Sequence, residues 1–184
     1  MADFEFNTIP GQTIARELMI AYLNVGTNTA PSWSAVGKRV EDSTADYDWG
    51  EETKQDILGN TWATMKKPVI TQTFDPCELD SADEGQKKIW DLAVVKQDAQ
   101  ALSNQDMLIA HWYTDAQGSL VGSFAERYES CMVKPSSLGG AGGGNIGMPL
   151  DVTYGGKRTT GTVTKSDDGT VTFVPSSTTT APEG

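Results

Sequence analysis

Basic residues are scarce in this chain. The 184 residues include 25 acidic and 14 basic side chains, which gives a formal charge of −11 at pH 7. A protein that holds nucleic acid through its phosphates needs an excess of lysine and arginine. The composition therefore argues against a nucleic-acid-binding protein, but it is compatible with a surface that keeps nucleic acid at a distance.

Signals for membranes and secretion are missing as well. No run of about 18 consecutive apolar residues occurs, and the N-terminus, MADFEFNTIPGQ, lacks a basic start followed by an apolar core. The two cysteines, Cys77 and Cys131, lie far apart without metal-site spacing. We therefore expect reduced core thiols, synthesis in the cytoplasm and no membrane partner.

The common catalytic motifs are absent. The chain has no nucleophile elbow, no helical zinc motif and no phosphate-binding loop. Its one histidine, His111, lies in an apolar run, where we expect a core residue. Asp46, Asp48 and Gly50 resemble a calcium loop, but the glycine is one place early and the twelfth position is Ile57. We predict no catalytic, metal-binding or cofactor-binding residues.

A glycine-rich segment, residues 136–147, contains the pattern G-x-G-x-x-G at Gly142, Gly144 and Gly147. A dinucleotide-binding turn needs a helix after such a loop, because the helix N-terminus binds the pyrophosphate. Here the chain continues with alternating Leu150, Val152 and Tyr154, which predicts a strand. We therefore interpret residues 136–147, the glycine loop, as a connection between two strands.

Most of the chain has the composition and alternation of β-strands. Residues 13–25 are apolar enough for a strand, with a short helix as the alternative. In 61–75, Val69, Thr71 and Thr73 alternate with Ile70, Gln72 and Phe74, and Pro68 marks an edge or a bulge. Further strands are predicted over 32–40, 107–114, 120–134, 150–154, 158–164 and 170–174.

One helix is predicted, over residues 81–104. Ser81 and Glu84 fit a capping box, and Ile89, Leu92 and Leu102 belong to an apolar stripe at helical spacing. A long acidic stretch precedes it, because seven carboxylates and one lysine lie between residues 41 and 56. We expect residues 41–60 to form an exposed loop. Long loops and unpaired strand edges are typical of a subunit that a neighbour covers.

Taken in order, several segments resemble the major tail protein, or tail tube protein, of tailed bacteriophages and phage-tail-like particles. They are GQTIARELMIAYLNVG, YDWGEETKQDILGNTWATMKKPVITQTFDP, the helix from Asp83, FAERYESCMVKPSSLGG and TGTVTKSDDGTVTFVP. The resemblance covers most of the chain, and it depends on the order of these segments and not on any one motif.

This resemblance implies a mainly β fold with one flanking helix, a β-sandwich in a single domain over residues 1–174. Residues 175–184 would be a disordered tail. Six copies would form a ring with a continuous inner β-barrel, and rings would stack into a hollow tube. The loop 41–60 would reach the adjacent ring through Asp42, Asp46, Asp48, Trp49, Glu51, Glu52 and Asp56. The glycine loop would be a second inter-subunit element, ordered only when packed, with Ser136, Gly139, Gly140, Gly142, Gly143, Gly144 and Asn145.

The resemblance also implies a function. The tube would hold the tape-measure protein and later conduct DNA, and an acidic lumen would let DNA pass without specific binding. Tail terminator and baseplate or distal tail proteins would be further partners. The protein would belong to the virion tail after assembly in the bacterial cytoplasm, and it needs no cofactor.

Two other interpretations fit the composition. Another phage structural protein, such as a head-tail connector or a capsid decoration protein, would share the acidity and the lack of catalytic motifs. A ligand-binding or hydrolytic β-sandwich would use the tryptophans Trp33, Trp49, Trp62 and Trp112.

Overall fold

The computed structural model describes residues 11, 13–115 and 117–176. Residues 177–184 of the predicted tail, and the first ten residues, lie outside this part. The described strands are β1 (Met19–Asn24), β2 (Trp33–Val36), β3 (Ala45–Asp48), β4 (Glu52–Gln55), β5 (Thr61–Thr64), β6 (Val69–Phe74), β7 (Gln105–Thr114), β8 (Leu120–Pro135), β9 (Leu150–Tyr154), β10 (Arg158–Lys165) and β11 (Val171–Pro175).

Nine of the eleven described strands build two sheets that share the long strand β8, and β4 and β5 pair separately. The first sheet has the order β2-β1-β7-β8-β10-β11, and the second has the order β8-β9-β6-β3. β8 pairs with β7 and β10 through its first part and with β9 through its last four residues, Met132–Pro135. All of these pairings are antiparallel. A mainly β sandwich with one helical region, the fold class predicted from the sequence, is confirmed.

A close approach of two chain segments makes the turn between β9 and β10 possible. Gly156 has a φ of 76°, and a Cβ there would lie 2.7 Å from the Cβ of Ser130 on β8. Only glycine fits both the left-handed backbone and this spacing. The chain can therefore follow the same edge of β8 from the second sheet into the first.

The main core lies between the two sheets and follows the alternation of the strands. On β6 the side chains of Ile70, Gln72 and Phe74 are buried, whereas Val69, Thr71 and Thr73 are exposed. The two faces predicted from the sequence for this strand are confirmed. The main core comprises Ala21, Leu23, Ile70, Phe74, Cys77, Ile89, Met107, Ile109, Tyr128, Cys131, Val133, Met148, Leu150, Val152 and Tyr154.

A second, smaller core lies on the other face of the first sheet. Leu108, Ala110 and Trp112 of β7 point into it, and the β10–β11 hairpin covers it with Val163 and Val171. Strand β7 is therefore buried on both faces. The near-continuous apolar run 107–114 predicted such a strand.

The helical region is interrupted, contrary to the prediction of one helix over 81–104. Helix α1 (Glu84–Trp90) continues into a π-helical turn (Asp91–Val95), and a short helix α2 (Ala99–Leu102) follows. The Lys96 amide donates to the Asp91 carbonyl at 2.9 Å, one residue further back than in an α-helix. Gln97 then adopts a φ of 50°, which ends the helical path before α2.

The N-cap of α1 also differs from the prediction. Asp83, not Ser81, caps the helix, because its carboxylate accepts a hydrogen bond from the Gln86 amide at 3.0 Å. The predicted capping box of Ser81 and Glu84 is therefore wrong. Asp83 plays the capping role predicted for Ser81, but it lies two residues later in the sequence and binds the amide of Gln86.

The stretch 41–60 is not a continuous loop. It contains β3, which pairs with β6, and β4, which pairs with β5 in a separate two-stranded hairpin. The predicted strand 61–75 is correspondingly divided into β5 and β6, with Pro68 directly before β6. Proline has no amide hydrogen to donate, so a ladder breaks readily there.

None of the helices in the described part of the chain is long and apolar enough to cross a membrane. Within residues 11, 13–115 and 117–176, no group of three or more histidine, cysteine or acidic side chains is arranged to hold a metal ion.

Candidate assembly surface

Among the described strands, β4 and β5 are exposed at every position; they form a hairpin that we call the arm and define as residues 49–66. Its root is closed by a hydrogen bond from the Lys66 amide to the Trp49 carbonyl at 2.9 Å. Every residue of β4 and β5 is exposed, and the two strands pair only with each other among the described strands. A two-stranded hairpin without further packing is marginally stable alone in water, so the arm gains most from a partner.

The two faces of the arm differ in charge. Glu52 lies opposite Thr64, and Lys54 lies opposite Trp62, so these four side chains share one face. The Lys66 ammonium lies 2.9 Å and the Lys54 ammonium 3.6 Å from the Glu52 carboxylate. This face is an exposed ion-pair cluster.

The opposite face of the arm is uncharged along its strands. Thr53 pairs with Ala63, and Gln55 pairs with Thr61, so these four side chains point the other way. Small uncharged side chains can be covered by another protein without burying an ion. The charged groups of the two strands therefore lie on one face, together with Trp62, and the other face can be covered without burying an ion.

The tip of the arm is a tightly hydrogen-bonded turn around Asp56. One carboxylate oxygen accepts from the amides of Leu58 at 2.8 Å and Asn60 at 2.9 Å, and the other accepts from the Asn60 side chain at 2.9 Å. These bonds lower the pKa of Asp56, the side-chain bond from Asn60 most of all. The turn presents Ile57 and Leu58 to solvent, 102% and 81% exposed.

Apolar side chains continue from the tip to the root of the arm. The rings of Tyr47 and Trp49 are stacked with centroids 6.4 Å apart. Large exposed apolar groups in such number on the arm and on the adjacent ends of β3 and β6 indicate a surface that another protein covers. The set comprises Tyr47, Trp49, Ile57, Leu58, Trp62, Met65 and Val69.

A buried ion-pair network lies in the sandwich beside Tyr47. The Glu126 carboxylate accepts hydrogen bonds from the Tyr128 hydroxyl and the Arg158 guanidinium, both at 2.7 Å, and the His111 ring lies 3.7 Å away. Burial by itself would raise the pKa of Glu126. The nearby His111 ring and the hydrogen bonds from Arg158 and Tyr128 outweigh it and lower this pKa to about 2. Burial, with the Glu126 charge beside it, raises the pKa of Tyr128.

A second buried ion pair fixes the connection between β1 and β2. The Arg127 guanidinium binds both Asp106 oxygens, at 3.0 and 2.6 Å, and lies 5.7 Å from the ring centre of Trp33. The Asn24 side chain donates to Asp106 at 3.0 Å. Neither ion pair was predicted from the sequence. The one feature that could have indicated them is the adjacent charged pair Glu126 and Arg127 in the middle of a predicted strand.

The glycine loop is bonded back to the body of its own subunit. Gly139 and Gly147 exchange backbone hydrogen bonds at 3.1 and 2.7 Å. The Leu79 amide donates to Ile146 at 2.8 Å, and the Asn145 side chain donates to Glu78 at 2.9 Å. The expectation that this loop orders only against a neighbour is therefore wrong for its base, where partners exist within the subunit. Its inter-subunit role stays a prediction.

The structure divides the predicted inter-ring residues between two places. Asp42 and Asp46 lie on the body, where Asp42 forms a backbone bridge with Asp75 and Asp46 belongs to β3. Asp48 ends β3, and the arm carries the other four: Trp49, Glu51, Glu52 and Asp56. The predicted glycine-loop residues lie at the opposite end of the second sheet.

Four apolar residues of the arm were not predicted from the sequence, and only their exposure in the structure identifies them: Ile57, Leu58, Trp62 and Met65.

The four tryptophans considered as a ligand site are not gathered together. Trp112 belongs to the second core, and Trp33 packs against that core. Trp49 and Trp62 lie on the arm. The structure therefore offers no shared aromatic site for the ligand-binding interpretation.

Comparison with solved structures finds low similarity to chains from contractile injection systems. A chain of the tube-terminating cap of the anti-feeding prophage is 14% identical, with a TM-score of 0.49 over 88% of this chain and 99% of that one. A chain of the PVC sheath-tube complex in the extended state is 12% identical, with a TM-score of 0.48 over 84% and 95%.

A chain titled Hcp protein is 10% identical, with a TM-score of 0.36 over 85% of this chain and 98% of that one. No family model matches the sequence, and no curated protein matches it. With TM-scores below 0.5 and identities of 10–14%, these similarities carry no argument, and both fold and function are argued from the residues.

Proposed function

We propose that the protein is the structural subunit of a phage-tail-like tube. The observation that carries the proposal is the arm, an exposed two-stranded hairpin that projects from the β-sandwich and carries uncovered apolar side chains from tip to root. Such a surface is costly for a free monomer and becomes favourable when a second copy covers it. The role is structural and not enzymatic.

In the proposed assembly, six copies form a ring and rings stack into a hollow tube. The number six comes from the sequence resemblance. Strands β2, β3 and β11 each pair on one side only within the described chain, so they are the edges available for lateral contacts. The arm makes the axial contacts between rings, with Asp48, Trp49, Glu51, Glu52 and Asp56 at or near this interface.

The charge of the chain suits a conduit for DNA. A net charge of −11 per copy is multiplied by assembly. A wall of the same sign as DNA forms few phosphate contacts, so the polyanion passes without binding. Before DNA passes, the lumen holds the tape-measure protein, and tail terminator and baseplate or distal tail proteins close the ends. The particle is assembled in the bacterial cytoplasm and the subunit becomes part of the virion tail.

Electron microscopy of the purified protein at high concentration tests this proposal. We expect sixfold rings or hollow tubes, and their number should rise when tape-measure protein is added. A protein that stays monomeric over the whole concentration range, with and without tape-measure protein, would contradict the tube function. In a second sample with added phage capsids, binding to the capsid surface without tubes would favour the capsid-protein interpretation instead.

A further inference from the structure

Among the described residues, an open groove is lined by the start of β1, by β2 and by the connection from β2 to β3. Its volume is about 440 Å³; Met19 and Val36 form part of its apolar lining, and the buried Phe74 of β6 lies at its floor. Arg16 and Lys38 also line it, and the Arg16 guanidinium donates to the Ser43 carbonyl at 3.1 Å, which ties the segment before β1 to the β2–β3 connection. Cavities of this size suit groups as large as a small-molecule ligand. Two aliphatic side chains on a narrow turn are well within that size.

The groove and the arm lie at opposite ends of the same two strands. Strand β3 begins at Ala45, next to the groove residue Ser43, and it ends at Asp48, where the arm departs. Strand β6 runs in the other direction, from Val69 beside the arm to Phe74 in the groove. Copies stacked along these strands therefore bring the arm of one copy toward the groove of the next.

The tip of the arm has the form that such a groove requires. Ile57 and Leu58 are the most exposed large apolar residues in the described chain. The turn that carries them is fixed by the hydrogen bonds to Asp56. Because the turn is already ordered, insertion loses little conformational entropy.

We propose that Ile57 and Leu58 of one copy insert into the groove along β2 and the β2–β3 connection of the next copy. The contact is head-to-tail: tip and groove are different surfaces, so every stack keeps a free groove at one end and a free tip at the other, and the contact propagates. The inference rests on the proposed tube function and adds the acceptor site for the arm. The groove rim carries Arg16 and Lys38 together with Glu17 and Glu41, so apolar contact and not charge drives this docking.

The geometry also predicts the spacing between copies. The arm extends by eight residues from Trp49 to Ile57, or roughly 26 Å at the rise of a strand. The length of β3, which separates the groove from the root of the arm, is added to this value. The distance between successive copies along the stack is therefore on the order of 40 Å.

Paired variants test the contact from both sides. The tip variant is Ile57→Ser/Leu58→Ser, and its matched control is Leu120→Ser/Val121→Ser, another adjacent pair of half-exposed apolar residues. The groove variant is Gly37→Trp. Gly37 lines the groove, and a Cβ at this position meets nothing within 4 Å, so the monomer accepts the new side chain. Gly37→Ala is the control that leaves the groove open.

We expect the tip variant and the groove variant each to raise the protein concentration needed for stacking at least tenfold, measured by sedimentation and electron microscopy. Both controls should stack like the unmodified protein. Mixing the two defective variants should restore contacts between one intact tip and one intact groove, which gives short stacks and no long tubes. Normal stacking by the groove variant, or no pairing in the mixture, would overturn the proposed contact.

A cross-link gives an independent measurement. In the double variant Gly37→Cys/Leu58→Cys, mild oxidation should produce a ladder of disulfide-linked multimers, whereas Leu58→Cys alone should give none. The native Cys77 and Cys131 are buried and do not compete. A double variant that stacks but gives no ladder would overturn the tip-to-groove contact and leave the tube function standing. Unmodified protein that never stacks would instead contradict the tube function itself.

Discussion

The arm and the glycine loop look alike in the sequence and differ in the structure. Both are polar, glycine-containing stretches without an evident place in a core. The glycine loop closes on itself between Gly139 and Gly147 and is bonded to residues 77–79 of its own subunit. The arm pairs only with itself and leaves its apolar side chains in solvent. An exposed segment whose apolar groups find no partner within the subunit is the better candidate for contact with another one.

Removing the arm tests this difference with the largest expected effect. Replacing residues 51–65 by a short glycine turn between Gly50 and Lys66 should abolish stacking, because it removes the whole axial contact. The fold should be retained, since the arm pairs only with itself among the described strands. Electron microscopy reports the stacking, and thermal unfolding reports the fold.

This excision leaves β3 intact and therefore separates the arm from the sheet that carries it. Long tubes formed by the shortened protein would show that the arm is not the axial contact. A large loss of thermal stability would show that the arm stabilises the body of the subunit and does not pair only with itself.

The ion-pair network beside Tyr47 gives the next largest effect, on stability and not on assembly. The pKa of Glu126 is lowered to about 2 in the folded protein, below its ordinary value of 4.5. The stabilisation is therefore complete above about pH 4.5 and is lost as the pH falls toward 2. It corresponds to about 3 kcal/mol of unfolding free energy.

Urea unfolding at pH 6 and pH 3 measures this contribution. Glu126→Gln should lower the stability at pH 6 and reduce the change in stability between the two pH values. Equal pH dependence in the variant and the unmodified protein would show that other carboxylates cause the acid destabilisation.

A smaller effect is expected at the tip of the arm. Asp56→Ala removes the acceptor that fixes the turn, so stacking should weaken several-fold, while unfolding of the body stays unchanged. Low pH should weaken stacking in the same way as the substitution. The turn lowers the pKa of Asp56, and protonation at low pH removes the charged acceptor and loosens the turn. Amide hydrogen exchange at Leu58 and Asn60 should become faster in the variant. Unchanged exchange would show that the turn holds its shape without the carboxylate.

The smallest effect is expected in the glycine loop. Asn145→Ala removes the side-chain hydrogen bond to Glu78 at the surface and should cost about 0.5 kcal/mol of stability. Amide exchange at Gly139 and Gly147 should already be slow in the monomer, because both amides have backbone partners. Fast exchange of these two amides in the monomer, with protection in tubes, would support the inter-subunit role expected from the sequence.

Regular strand patterns were the best guide to the fold. The alternation in β6 and β9 and the apolar run of β7 predicted strands and the buried faces of two of them correctly, because burial of alternate side chains is a local property of a strand. The helical region was located but not its interruption. The π-helical turn after Trp90 and the cap at Asp83 depend on backbone hydrogen bonds that an apolar stripe does not specify.

The sequence by itself determined a mainly β, acidic protein with one helical region, through strand alternation, charge and the order of its segments. The tertiary structure decided which exposed stretches have partners. Strand pairing between distant residues closed the glycine loop onto its own subunit and placed Asp42 and Asp46 on the body. The same pairing left the arm alone at one end of the second sheet and opened a groove at the other. These placements depend on contacts between residues far apart in the chain, and local composition does not encode them.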